Sequence, residues 1–512
     1  MLLLHRWLAR LCAPVLSWSD RQPRSQQDME SEQSRHLQRL VRLLAPTMVG
    51  KQFGLKKLPH DHRLRQAFAA QVPISTYGDY QSLITRVAVG EANILFPGHA
   101  VALAQTSGTT SSDHSGERYI PQNDALLRHH ARGGAAAFSR LITATGGSIF
   151  SGPLLMLGGS TALTPNAHGL PVGDLSGIIA DRIPRWLRPL YAPGLDIALE
   201  PDWEKKLTRI ISRYGHEDMR LISGIPSWCL MLCERLCQAR GVTRASAAWP
   251  HLQGFIHGGH AIAPLLPSLR AHFAPTMKMM EVYPASEAFI AIGSRVWQLD
   301  EAEPPPLDLL MDHGVYLEFL AEDHVTVVGP ADIESGALYR VLITTPAGLV
   351  RYQLGDVVLG VAPGQIRVAG RIKTRLSIFG EHVEGYHLDH ALSAAVQISE
   401  CAVRYYHVAP YFSDAHDGRG GHEWLIACDR APADLSTFAK TIDQYLCDHV
   451  IDYAAHRRGG QLLAPRITLI TTDQVQRYLA THGKLGGQHK LPQAWPDRHI
   501  AEMLLSDHEK QR

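Results

Sequence analysis

The sequence predicts an α/β protein: a large N-terminal domain of mixed sheets with a β-barrel-like part, followed by a small α+β C-terminal domain. Three observations predict it. The chain has 512 residues, too many for one small core. Residues 314–372 switch to period-two patterning broken by short turns, the pattern of antiparallel sheet or barrel. Beyond about Gly370 the segments read helix, strand, strand, helix, strand, helix, which suits one open sheet covered by helices. Glycines bracket a basic segment between Gly370 and Gly380, so the boundary is expected there, giving domains 1–375 and 376–512.

Composition narrows the function. Lys plus Arg (50) against Asp plus Glu (49) leaves a net charge of +1, so no global field draws the protein to nucleic acid or anionic membranes. Small-molecule partners are the expectation. The 7 cysteines include no CxxC pair, which argues against a disulfide framework or zinc ribbon and suits a reducing compartment, the cytoplasm. No apolar run reaches the roughly 18 residues of a membrane span. Residues 1–18 are leucine-rich but broken by His5, Arg6 and Arg10, and read as an amphipathic helix rather than a signal peptide.

In order along the chain, Leu37, Leu40, Val41 and Leu44 recur at helical spacing and predict a helix over 30–55, with further short elements over 73–84 and 88–96. Residues 106–121 then pack Ser107, Gly108, Thr109, Thr110 and Arg118 between an apolar run and a helix over 124–141. This is either a polar loop or an anion cradle, in which glycines aim backbone N–H groups inward and hydroxyls and a cation add to them. Running straight into a helix N-terminus would favour the cradle, because those N–H groups are unpaired.

Residues 146–164 and 221–236 look buried, and Pro226 can open a helix at its first turn. Cys229, Cys233 and Cys237 fall every four residues, a small apolar stripe rather than a metal site. Residues 254–262 place His257-Gly258-Gly259-His260 as a turn after a strand, and 281–292 form strand, loop and strand with Glu287 in the middle. Strands follow over 315–320, 325–328, 338–344, 350–361 and 365–368, then helix 386–396, strands 401–408 and 423–428, helix 435–453, strand 467–470 and helix 473–480. Asp356 follows Gly355 into an apolar strand, either as a turn residue or as an acceptor for ribose hydroxyls.

Taken together, Thr106-Ser107-Gly108-Thr109-Thr110 with Tyr119-Ile120-Pro121, Gly224-Ile225-Pro226-Ser227-Trp228, and Tyr283 with Ala285-Ser286-Glu287 form an ordered series. It continues with Arg351-Tyr352 and Leu354-Gly355-Asp356, Gly380-Glu381, and Gly486-Gly487-Gln488-His489-Lys490. The series resembles the adenylate-forming superfamily. Its spelling is similar to the acyl acid amido synthetase family, the auxin-responsive Gretchen Hagen type, and especially to its bacterial members.

The resemblance implies a ligase that adenylates a carboxylic acid with ATP and Mg²⁺, then passes the acyl group to an amino acid or amine as an amide. It further implies a monomer, with the acid bound near the helix after Pro121, where Arg128, His129, His130 and Arg132 would offer cations for its carboxylate. By the same resemblance Ser107, Gly108, Thr109 and Thr110 would cradle phosphates with Arg118 as a secondary cation, and Glu287 would hold Mg²⁺. Tyr283, Gly258 and Gly259 would bound the adenine with Ser286 beside them, and Asp356 would bind ribose with Tyr352. Arg371 would sit at the hinge, and Lys490 would be the cation that a C-terminal lid brings to the α-phosphate, with Lys484 as its rival.

Two alternatives stay open: a thiol acceptor such as coenzyme A, or a nucleotide-binding protein with weakened catalysis. The second is motivated by departures from the family. Ser111-Ser112-Asp113-His114-Ser115 lengthen the phosphate loop, Arg118 stands where lysine is usual, and Ala288 stands where glycine is common. The kinase-like P-loop G-x-x-x-x-G-K-[ST] and the hydrolase elbow G-x-S-x-G are both absent from the sequence.

Overall fold

The computed structural model describes residues 20, 25–106, 118–159, 163–183, 188–259, 262–371, 376–413, 419–481 and 491–506. The chain forms two compact units. The first takes in Met1–Ile225, Arg235–Gly259 and Ala274–Val368; the second takes in Pro226–Glu234, His260–Phe273 and Ala369–Arg512. Residues 1–18, with their expected amphipathic helix, lie outside the described residues.

In the first unit the expected helix over 30–55 is two helices, Gln26–Leu44 and Met48–Gln52. Pro46 lies at the break: Ala45 is still helical at φ −50°, ψ −38°, but Pro46 has no N–H with which to continue the intrahelical ladder. Leu37, Leu40, Val41 and Leu44 face the core, as their spacing requires. A helix at Tyr77–Ala88 follows, whereas the element expected over 88–96 is a series of turns. Gly90 and Gly98 take φ of 93° and 85° there, a left-handed conformation that ends regular structure.

The main sheet holds thirteen described strands. Leu154–Leu157, Leu221–Gly224, Gly254–Gly258 and Lys278–Pro284 run parallel. Parallel neighbours need long crossovers, and the helices Trp203–Tyr214 and Pro226–Arg240 lie in those connections. At Lys278–Pro284 the chain turns back into Phe289–Gly293, and the pairing becomes antiparallel. Leu307–Leu309, Gln365–Arg371, Tyr352–Ala362, Leu338–Thr344, Tyr316–Ala321 and Val327–Val328 continue the sheet in that order. The period-two residues therefore extend the sheet that the parallel strands begin. On one face the helix Asp124–Thr145 buries Ala136 and Ala137 against Met280, Phe289, Ile292 and Leu310.

A second, four-stranded sheet contains Ala102–Thr106 antiparallel to Arg118–Gln122, with Thr106 opposite Arg118. This corrects one expectation. A strand stands between the hydroxyl-rich loop and the helix, so the loop joins two strands of a hairpin instead of running into a helix N-terminus. That N-terminus is closed by Asn123, whose side chain accepts from the Leu126 N–H.

The second unit pairs Ala402–Phe412 antiparallel to Gly420–Arg430, and the latter parallel to Arg466–Ile470. Leu388, Leu392, Val408, Trp424, Phe438 and Ile442 form its core. The helix expected over 435–453 is broken into Leu435–His449 and Ile451–Arg458, because Val450 is extended at φ −126°. Cys229, Cys233 and Cys237 are buried, and no described cysteine forms a disulfide. No described helix is long and apolar enough to cross a membrane.

Candidate functional site

The motif residues of the first unit meet where the parallel strands give way to antiparallel ones. Lys278–Pro284 and Phe289–Gly293 are joined by a tight hairpin, closed by a bond from the Ala285 N–H to the Ala288 carbonyl at 2.8 Å. Ser286 and Glu287 form its tip. Ser286 is buried, and its carbonyl accepts from Gln122 Nε2 at 3.1 Å, which ties the tip to the Arg118–Gln122 strand.

Phe289, just after the tip, is pinned twice by the Asp124–Thr145 helix. Its N–H donates to His129 Nε2 at 2.9 Å, and His129 Nδ1 contacts the His313 carbonyl at 2.9 Å. Since Nε2 accepts, Nδ1 carries the proton and donates, so the ring is a fixed neutral tautomer. Burial also drives its pKa down to about 4. The second pin is Gly133, where an added Cβ would come within 2.5 Å of the Phe289 ring.

For three of the four residues named, these contacts correct the expectation that this helix offers cations to a substrate carboxylate; Arg128 is exposed. His129 and His130 are buried and neutral, with burial lowering His130 to about 3. Arg132 is engaged by Asp312 at 2.6 Å.

The second cluster belongs to Tyr352–Ala362. In its register against Leu338–Thr344, Arg340 faces Val357 and Leu342 faces Gln353, so Leu354, Gly355 and Asp356 stand against Val341 alone. Gly355 makes this bulge with φ of 89°. Asp356, next in the chain, is buried and accepts from the Tyr283 hydroxyl at 2.6 Å. The structure thus joins the expected ribose acceptor directly to the expected adenine-side tyrosine.

Tyr352 is buried edge-on to Tyr80, with ring centroids 5.9 Å apart. Burial holds its hydroxyl far above the ordinary tyrosine pKa; the Glu287 charge pushes the same way and Arg118 opposes it. Glu287, Arg118 and Tyr352 therefore share one electrostatic neighbourhood. Arg118 also lies over the Tyr77 ring, 4.7 Å from its centroid, and Tyr77 accepts the Tyr119 N–H at 3.1 Å.

The residues leading into Tyr77 are equally fixed. Ser75 accepts the Gln353 N–H at 2.8 Å and donates its own to the Arg351 carbonyl at 3.0 Å, so the 73–76 segment lies as a short strand along the Arg351-Tyr352 motif. Arg351 itself is turned into the protein interior. It is buried, binds Glu318 at 3.1 Å, and donates to the Ala69 and Val72 carbonyls at 2.9 and 2.7 Å.

Gly258 ends its strand beside Val282, where an added Cβ would lie 2.3 Å from the Val282 carbonyl oxygen. Gly259 follows at φ 96°. Neither position accommodates a side chain at low cost. Ser107, Gly108, Thr109, Thr110, Lys484 and Lys490 lie outside the described residues. Arg371 closes the strand Gln365–Arg371, but its side chain is likewise outside them.

Sequence reasoning missed Gly133, Gln122, Tyr77 and Glu318, and gave His129 the role of a cation instead of a neutral pin. One of them left a signal: Gly133-Gly134 in a helix interior costs about 1 kcal/mol per glycine, a reason to expect a close neighbour.

A divalent cation fits the described donor set in one way. Glu287 is a single carboxylate, and Mg²⁺ is usually held by one or two carboxylates together with phosphate oxygens and water.

The fold is similar to that of GH3.15 acyl acid amido synthetase, with a TM-score of 0.77 at 16% identity, covering 97% of this chain and 96% of that one. GH3.10 of Oryza sativa subsp. japonica, which carries the name of an indole-3-acetic acid-amido synthetase, is 23% identical over 381 residues. That match covers 65% of this chain and 76% of the rice protein. CymA of Salinispora arenicola (strain CNS-205), named for nonribosomal peptide synthesis, is 24% identical over 248 residues. This match covers 46% of the chain and only 3% of CymA's length. Residues 20–213 match the GH3 family N-terminal domain, 308–371 its central domain and 386–499 its C-terminal domain; the chain belongs to the GH3 family.

Proposed function

We propose that this protein activates a carboxylic acid with ATP, as an acyl-adenylate, and transfers the acyl group to the amine of an amino acid to form an amide. The observation that carries the reading is the Tyr283–Asp356 bond, which couples two motifs expected to hold the nucleoside, within a chain of the GH3 family. The name of the similarly folded GH3.15, an acyl acid amido synthetase, supports it. So does that of rice GH3.10.

In this reading residues 1–375 bind ATP and the acid, and 376–512 act as the lid. Ser107, Gly108, Thr109 and Thr110 hold the phosphates, with Arg118 nearby. Asp356 and Tyr352 take the ribose; Tyr283, Ser286, Gly258 and Gly259 border the adenine. Glu287 holds Mg²⁺, which when bound offsets phosphate charge. Arg371 and Lys490 stabilise the charge that develops as the carboxylate attacks the α-phosphate. Little covalent chemistry falls to the protein, so positioning and electrostatics carry the rate. A cytoplasmic monomer fits this use of ATP.

ATP–pyrophosphate exchange across aryl, indolyl and fatty acids tests the first step, and mass spectrometry with amino acids or coenzyme A tests the second. Exchange with at least one acid and an amide product are expected. A thioester product would overturn the amide step, and no exchange with any acid would overturn the adenylation. Lys490→Ala should suppress exchange and Lys484→Ala should spare it; the opposite result moves the role to Lys484.

A further inference from the structure

One acid in the first unit has no part in the reading above. Glu281 lies two residues before Tyr283 on Lys278–Pro284, so the two side chains share a face of the sheet. It is half-buried, and its carboxylate has no hydrogen bond or ion pair among the described residues. Its register partner on the parallel neighbour is His257, the residue that opens the Gly258-Gly259 turn. His257 is 1% exposed, and neither of its ring nitrogens has a hydrogen-bond partner among the described residues.

The surroundings of this pair are aromatic. His257 packs against Phe255 and edge-on against Trp297, at centroid separations of 5.4 and 6.2 Å. The Trp297 indole nitrogen is buried and also lacks a hydrogen-bond partner among the described residues. A carboxylate and two unpartnered polar side chains therefore meet on one face of adjacent strands. Polar groups buried this deeply are ordinarily satisfied, so the corner has unused capacity for a ligand.

We infer that Glu281, flanked by His257, is the subsite for the acceptor's ammonium group and the base that deprotonates it before amide formation. This inference rests on the proposed amide synthesis. An ammonium carries three donors and no acceptor, which matches a carboxylate and a neutral imidazole. An amine attacks only as the free base. Glu281 takes one proton from R–NH₃⁺, and the nitrogen lone pair then forms the C–N bond at the acyl carbonyl. The bond from that carbon to the AMP oxygen breaks, AMP leaves with the electron pair, and the second nitrogen proton passes to solvent.

Acid strength suits the role. Burial raises the Glu281 carboxyl to about 7, with Arg367 opposing, and burial keeps His257 neutral at about 3. A base with a pKa near the working pH accepts a proton and releases it again within a turnover.

The experiment compares three rates in the wild type and in Glu281→Gln: ATP–pyrophosphate exchange, amide formation with the amino acid acceptor, and hydroxamate formation with hydroxylamine. Hydroxylamine is largely unprotonated at neutral pH and needs no base. The variant is expected to keep wild-type exchange and hydroxamate rates while amide formation falls about 10²-fold. Should it fail to fold, Glu281→Asp, which keeps the carboxylate on a shorter stem, is expected to slow amide formation selectively. Unchanged amide formation would overturn the inference, as would an equal fall in all three rates, the mark of a structural role. A wild-type protein that exchanges with no acid would instead overturn the proposed function.

Discussion

The Tyr283 hydroxyl donates to Asp356 Oδ2 at 2.6 Å, between a strand of the parallel region and a bulge in the antiparallel one. Both side chains are buried. Tyr283→Phe keeps the ring and removes this donor from a buried carboxylate, which costs about 1–3 kcal/mol. A lower urea midpoint and a raised KM for ATP are expected. An unchanged KM would detach Tyr283 from the nucleotide.

Gly355 sets the direction of Asp356 through its φ of 89°. No other described group lies within 4 Å of an added Cβ, so Gly355→Ala introduces backbone strain without a clash among the described residues. The cost should be about 1–2 kcal/mol. If the bulge relaxes, Asp356 turns with it, and KM for ATP should rise more than kcat falls. Steady-state kinetics beside urea unfolding separates the two effects.

Arg351 sits at φ 44° with its guanidinium on buried Glu318. Arg351→Met removes the charge partner of a carboxylate that burial already pushes toward its neutral form. A loss of about 3–5 kcal/mol is expected. Adding Glu318→Leu should recover most of it, and a double variant as unstable as the single one would contradict the pairing.

Six buried histidines, His36, His129, His130, His257, His387 and His407, are held at about 3 or 4, mainly by burial, against an ordinary 6.5. Their neutral forms favour the fold fully above pH 6.5. As pH falls from there toward 4 the unfolded chain takes up protons that the native one refuses, and stability drops. Each histidine contributes about 1.4 kcal/mol per pH unit in that window. Urea midpoints should therefore fall steeply between pH 7 and 5, and a flat profile there would show these rings to be solvated.

Much was legible before the fold was known. The helix face Leu37, Leu40, Val41 and Leu44 and the strand order beyond Gly370 both appear where periodicity puts them. The misreadings share a cause. The helix over 30–55 broke at Pro46, and the element over 88–96 became turns around Gly90 and Gly98, because single punctuating residues outweighed apolar spacing. The strand Arg118–Gln122 was missed since its Pro121 and polar residues weaken its alternation, while its pairing with Ala102–Thr106 is made across the intervening loop.

By itself the sequence determined which motifs the chain carries, in what order, and which local element holds most of them, because periodicity and turn chemistry act within a few residues. Only the tertiary structure decided which motifs touch. Tyr283 reaches Asp356, His129 holds Phe289, and Arg351 turns inward to Glu318. Those contacts depend on where the sheet changes from parallel to antiparallel and on the bulge at Gly355, and both arise from pairing between strands far apart in the chain.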